Sequence, residues 1–115
     1  MSKLERFIRN GDSRGLRQLS EHLTVHILHS SLFRLESRLW KKRATALGLA
    51  AFKGHANVMT MLMEMGARPA QEIEDGERYN AMTLAILTDN EECVRLLLSR
   101  GGNPNQPAQD TGNTP

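Results

Sequence analysis

Three of the four histidines in this chain are spaced so that a single helix could present them to a metal ion. His22, His26 and His29 stand at i, i+4 and i+7, which are neighbouring positions on one helix face. Imidazole nitrogen is a common ligand of zinc. However, no HExxH motif and no nearby cysteine accompanies them. We therefore interpret them as solvated or packing histidines and predict no metal site.

The sequence lacks the patterns that usually mark a catalytic site. It contains no glycine-rich phosphate loop and no nucleophile elbow. Its densest group of carboxylates falls in a connector that we expect to be too mobile to hold a catalytic geometry. That group consists of Glu72, Glu74, Asp75 and Glu77. We predict a protein that is not an enzyme and needs no cofactor.

A basic run with one aromatic residue suggests another chemistry, the binding of anions. The run consists of Arg34, Arg38, Trp40, Lys41, Lys42 and Arg43. It could contact nucleic acid or an acidic protein, but one short cluster on a chain of net charge +2 favours a solvated helix face with Trp40 packed beneath it. Residues 1–55 hold eleven Lys or Arg and four acids, whereas residues 56–115 hold four and nine. An acidic partner would be drawn to the first half.

Length and composition restrict the class of protein. At 115 residues the chain has the size of one domain. No stretch approaches the ~18 consecutive apolar residues of a membrane span, and the polar start of the chain lacks the apolar core of a signal peptide. Cys93 cannot form an internal disulfide, since it is the only cysteine. We expect a cytoplasmic or nuclear protein.

Two segments of the chain repeat one pattern 35 residues apart. Residues 47–69 and 82–104 align so that Leu62 matches Leu97 and Val58 matches Cys93. Within each copy the apolar spacing is helical twice, and Gly54 lies where a left-handed backbone would end the first helix. Helices of this length are marginal alone. The repeat therefore predicts paired helices that must stack on their neighbours.

The residues of the repeat resemble a known family. Residues 43–67, RATALGLAAFKGHANVMTMLMEMGA, strongly resemble the ankyrin repeat, whose pattern is G-x-T-P-L-H-x-A-A-x-x-G-H-x-x-V-V-x-x-L-L-x-x-G-A. Residues 80–105 resemble a more divergent copy. Thr45 keeps the helix cap of the family, but Ala46 and Gly48 replace its Pro and His. The resemblance implies an all-α, ankyrin-repeat helical solenoid with short hairpin fingers.

The resemblance also implies a domain organisation. Residues 1–40 would form an N-terminal capping helical pair with an inserted helix, because Val25, Leu28, Leu32, Leu35 and Leu39 follow helical spacing. Residues 41–105 would form two ankyrin repeats, at about 43–70 and 78–105, and residues 106–115 would begin a truncated third.

Members of this family bind partner proteins, so the resemblance implies a non-enzymatic adaptor or scaffold with a partner on its concave face. The matching exposed positions are Lys42, Ala44, Phe52, Lys53, Arg78, Tyr79, Leu87 and Thr88. Phe52 and Tyr79 would be aromatic anchors. We expect another protein as the partner, with the basic first half of the chain favouring an acidic one, and no small-molecule substrate and no membrane.

Two alternatives stay open. The chain could be the N-terminal regulatory segment of a larger enzyme, kinase or channel, because it stops in the opening of a repeat. Less favoured is nucleic-acid binding through Arg34–Arg43. The last full repeat ends with Leu96, Leu97 and Leu98 and has no capping pair after it, which also favours self-association through that edge.

Overall fold

The computed structural model describes residues 2–35, 42–69 and 74–100. In chain order, the elements are the helices α1 (Lys3–Asn10) and α2 (Ser13–Leu19), a 3₁₀ turn (Ser20–His22), helix α3 (Val25–Ser30), the two-residue strands β1 (Phe33–Arg34) and β2 (Arg43–Ala44), and the helices α4 (Ala46–Lys53), α5 (Ala56–Glu64), α6 (Ala81–Leu87) and α7 (Glu91–Ser99). No helix within these ranges is long and apolar enough to cross a membrane.

The helices form two stacked layers. In the first layer α4 packs against both α1 and α6, and in the second α5 packs against both α2 and α7. Each first helix also packs on the second helix of its own pair. The core between the layers is apolar and contains the small side chains Ala50, Ala51 and Ala85, which let the helices approach closely. The predicted helical solenoid is confirmed.

Side-chain caps fix where the first helices begin. Thr45 Oγ1 accepts the backbone N–H of Gly48 at 3.4 Å, and Asn80 Oδ1 accepts that of Thr83 at 2.8 Å. Each bond satisfies a backbone donor that the first turn leaves unpaired. At the other end of α4, Gly54 adopts φ +76. The cap and the stop predicted from the sequence are therefore both present.

Polar contacts join the first helical pair to the second. The backbone oxygen of Arg9 lies 3.0 Å from Nε2 of His55, and because a carbonyl only accepts, that ring nitrogen carries the proton. Asn57 Nδ2 donates to the backbone oxygen of Gly11 at 3.2 Å. The turn after α1 is thus held by the turn after α4, so the two pairs keep a fixed register.

The segment after α2 differs from the sequence-based expectation. The helical spacing predicted from Val25 to Leu39 ends at Ser30, and Phe33 lies in β1, buried opposite Ala44 of β2. The stabilisation from burying the Phe33 ring opposite β2 outweighs the helical preference of the sequence pattern. Leu39, Trp40 and residues 106–115 lie outside the described residues, so the predicted boundaries at 40 and 106 stay predictions.

The single helix face predicted for three histidines is wrong. His22 belongs to the 3₁₀ turn, whereas His26 and His29 belong to α3. Leu23 and Thr24 are extended between them, since Thr24 caps α3 through its hydroxyl at 3.2 Å from the N–H of Ile27. The i, i+4, i+7 arrangement therefore does not exist. Among the described residues no three His, Cys, Asp or Glu side chains cluster as metal ligands would.

His29 supplies a prediction about pH. Its Nε2 accepts the backbone N–H of Arg68 at 3.2 Å, which requires that nitrogen to be unprotonated. Partial burial, and then the Arg68 charge, lower the pKa of His29 below the usual 6.5. Because the folded-state pKa is the lower one, this contribution to stability is present above pH 6.5 and is lost as the pH falls through the folded-state pKa.

An NMR titration tests this directly. We expect the His29 ring signal to titrate with a midpoint below 6.5 in the folded protein and to move up towards that value in urea. His29→Gln keeps an acceptor without a titrating group, so acidification should destabilise this variant less than the wild type. A folded-state midpoint at or above 6.5 would contradict the contact.

Cys93 is predicted to be an inert core residue, and the structure places its side chain in the buried core. Burial, and then the neighbouring Glu92 charge, raise the pKa of its thiol to about 11. Since the thiolate is the reactive form, we expect iodoacetamide to modify Cys93 much more slowly in the folded protein than in urea at the same pH. Equal rates, measured by mass spectrometry, would show that the α6–α7 pair opens freely.

Candidate partner-binding surface

The finger of the second helical pair is a small sheet built from three short segments. β1 and β2 are antiparallel, with Arg34 opposite Arg43. On the other side of β2, the N–H of Arg43 donates to the backbone oxygen of Glu77 at 2.8 Å, and its backbone oxygen accepts the N–H of Tyr79 at 3.1 Å. Arg78 thereby lies beside Arg43 in a parallel bridge. We call these three segments (33–35, 42–44 and 77–79) the finger sheet.

Lys42 and Tyr79 contact each other across the finger sheet. The Lys42 ammonium lies 4.0 Å from the centre of the Tyr79 ring and donates to the backbone oxygen of Asp75 at 3.0 Å. A cation at this distance from an aromatic face is attracted by the ring. The two predicted site residues therefore form one unit, in which the lysine holds the tyrosine in place.

Asp75 organises the turn that leads into the finger. Its Oδ1 accepts the N–H groups of Glu77 and Arg78 at 2.8 and 3.0 Å, and its Oδ2 lies 3.1 Å from the Arg78 guanidinium. The hydrogen bond from Glu77, and then those from Arg78, hold the pKa of Asp75 below its usual value. The side chain of Arg78 is thus oriented by Asp75 and is still 30% exposed.

The ends of the first helices provide apolar and hydrogen-bonding groups. Phe52 is half-buried at the end of α4, with the ammonium of Lys53 5.8 Å from its ring centre. Leu87, at the matching position of α6, is 46% exposed. Thr88 is held by its hydroxyl, which donates to the backbone oxygen of Leu84 at 2.7 Å. All these side chains lie at the ends of helices in the first-helix layer of the stack.

Comparison with known proteins settles the family. A family model described as ankyrin repeats in three copies matches residues 6–108. The chain belongs to the ankyrin repeat family. It is also 31% identical over 71 residues to the nuclear factor NF-kappa-B p105 subunit of Mus musculus, a match that covers 61% of this chain and 7% of the p105 chain. Ankyrin repeats are in general a non-enzymatic fold for binding other proteins, so this domain is a protein-interaction module.

One residue predicted to be exposed on the ankyrin finger is not. Ala44 is completely buried, because it lies opposite Phe33 and its methyl group closes against Gly48 of α4. The alternation of the strand explains this: Arg43 points away from the core and the next residue points into it. The prediction that Ala44 is exposed is wrong. Its side chain packs on the buried face of the finger sheet.

Sequence reasoning missed two exposed residues of the ankyrin stack. Ile86 is 56% exposed on α6 beside Leu87, whereas the matching residue of the preceding repeat, Ala51, is fully buried. The signal in the sequence was that this position holds a large apolar residue in one repeat and a small one in the other. Arg34 was assigned to a solvated helix face, but it lies in β1. Its place opposite Arg43 follows from strand pairing, which the sequence does not specify.

Proposed function

We propose that this ankyrin-repeat domain is an adaptor or scaffold that holds a partner protein on the concave face formed by its fingers and first helices. The observation that carries the proposal is Leu87, which is 46% exposed at the end of a first helix. Phe52 holds the matching position of α4, and because α4 packs against α6 at the usual distance of about 8–10 Å between helices, the two side chains lie at the same end of the first-helix layer. An exposed apolar strip of this kind is typical of an interaction surface.

Aromatic and charged groups flank the apolar strip. Phe52 and Tyr79 are half-buried, and each has a lysine ammonium near its ring. Large side chains that are already positioned lose little conformational freedom on binding, which makes them good anchors. Lys42, Lys53 and Arg78 add positive charge around them. This arrangement supports an acidic protein as the partner.

Affinity capture with a double variant tests the proposal. We expect Phe52→Ala/Tyr79→Ala to reduce capture of specific partners, identified by mass spectrometry, by about tenfold or more, since truncating an anchor typically costs above ~1 kcal/mol. Arg95→Ala is the matched control, because its side chain is 77% exposed on the second-helix layer. Capture that is equal for all three proteins would contradict a concave binding face.

Two further predictions remain open beside this proposal. We expect the protein in the cytoplasm or nucleus, which imaging of a fluorescent fusion would test. The alternative that the domain is the N-terminal regulatory segment of a larger enzyme, kinase or channel stays a prediction, and determining the full reading frame would decide it.

Self-association through the α6–α7 edge is a second proposal, and a specific observation favours it. Val94 is half-buried where its match in the preceding repeat, Met59, is fully buried, and Ile86 shows the same difference from Ala51. Leu97 is buried, so it does not contribute to this edge. Analytical ultracentrifugation should show dimers that Ile86→Ser abolishes; a monomer at high concentration would refute this.

A further inference from the structure

The finger sheet aligns arginines across all three of its segments. Arg34 is the direct antiparallel partner of Arg43, and Arg78 lies beside Arg43 in the parallel bridge. Residues directly opposite in a sheet point to the same face. The residues next in sequence, Phe33 and Ala44, are buried on the other face. The outward face of the finger sheet therefore carries an arginine row, which we define as Arg34, Arg43 and Arg78.

Arg34 and Arg43 are the closest members of the arginine row. The N–H of Leu35 donates to the backbone oxygen of Lys42, and hydrogen-bonded pairs alternate with non-hydrogen-bonded ones along an antiparallel ladder. Arg43 instead uses its backbone N–H and its backbone oxygen for hydrogen bonds to Glu77 and Tyr79. The Arg34–Arg43 pair is thus non-hydrogen-bonded, the kind in which Cα atoms approach to about 4.5 Å and side chains are closest.

This juxtaposition of like charges costs stability and is not compensated within the described part of the chain. Like charges directly opposite in a sheet are destabilising. Both side chains are exposed, and no carboxylate among the described residues forms an ion pair with either. By contrast, Arg9 pairs with Glu5, and Arg78 pairs with Asp75. A bound carboxylate would replace this repulsion with bidentate hydrogen bonds.

We propose that the arginine row binds an acidic segment of a partner protein, with carboxylates seated between Arg34 and Arg43. This inference rests on the proposed function, because it names the chemistry of the partner at the finger. An acidic protein fits better than nucleic acid because of the size of the row. Three strands at about 4.8 Å spacing give a row of only about 10 Å, which suits a few neighbouring carboxylates, whereas nucleic-acid affinity comes from many phosphate contacts along the backbone.

The test uses a fluorescein-labelled peptide of eight glutamates and measures its affinity by fluorescence anisotropy at low salt. We expect Arg34→Gln/Arg43→Gln to weaken binding by about tenfold, as the loss of charge-assisted bidentate contacts predicts. Arg14→Gln/Arg17→Gln is the matched control. It removes the same charge from exposed positions on α2 and should change the affinity by less than about twofold. Equal weakening by both variants would overturn the proposal.

Two further readouts complete the test. The finger variant should keep or raise the melting temperature, because it removes opposed like charges. A lower melting temperature would show that the two arginines stabilise the fold and would overturn the proposal. Tighter binding of an eight-nucleotide oligothymidylate than of the peptide, lost in the finger variant, would identify a nucleic-acid site and overturn the proposal. If the peptide does not bind while capture still depends on Phe52 and Tyr79, this inference alone fails. If the peptide binds but capture is insensitive to those aromatics, the proposed function fails.

Discussion

Leu62→Ala should lower the free energy of unfolding by about 2–4 kcal/mol, as is usual for a buried leucine in a close-packed core. Leu62 is fully buried on α5, the helix that packs against both α2 and α7. Its position between two neighbouring helices leaves little opportunity for the stack to collapse into the cavity. Urea denaturation followed by circular dichroism measures the change.

The matched control for Leu62 lies two residues further along the same helix. Glu64 is exposed, so Glu64→Ala should change the free energy of unfolding by less than about 0.5 kcal/mol. The contrast between the two substitutions tests the register of α5, because a shift of two positions would exchange the buried and exposed faces. Similar losses for both variants would show that the register is wrong.

Gly54→Ala should cost about 2–3 kcal/mol, for two reasons that add. Gly54 has φ +76, in the left-handed region that residues with a Cβ avoid. A Cβ there would also clash with Nδ2 of Asn90. Asn90 cannot move away without cost, since its Oδ1 caps α7 by accepting the N–H of Cys93 at 3.2 Å.

Gly76→Ala is the control for the glycine substitution. A Cβ at Gly76 would meet no atom within 4 Å, so this variant should leave the free energy of unfolding within about 0.5 kcal/mol of the wild type. The two variants make the same chemical change in different surroundings. If Gly54→Ala proved as harmless as Gly76→Ala, the turn after α4 would not couple one repeat to the next.

The helical pairs were predictable from the sequence because their signals are local. The cap at Thr45, the stop at Gly54 and the helical spacing around Leu62 each act within one or two turns of chain. The repeat then specifies stacking, since paired short helices bury their apolar faces only against neighbours. These features required no knowledge of distant contacts.

The finger was not predictable because its structure depends on contacts between distant residues. Phe33 leaves the helical pattern to pack opposite Ala44, and Arg43 bonds to residues 77 and 79. Nothing in the local pattern distinguishes the exposed Arg43 from the buried Ala44 until strand pairing sets which face each occupies. For the same reason the sequence placed Ala44 in the candidate site, where the structure shows it buried, and did not place Arg34 there.

The measurement that most directly tests binding on the concave face is site-specific photo-crosslinking. A benzophenone side chain would replace Leu87 on the first-helix layer in one protein and Leu98 on the second-helix layer in another; the two leucines are 46% and 52% exposed. The account predicts a covalent adduct with a partner protein from position 87 and none from position 98. Adducts from 98 alone, or with equal yield from both positions, would contradict it.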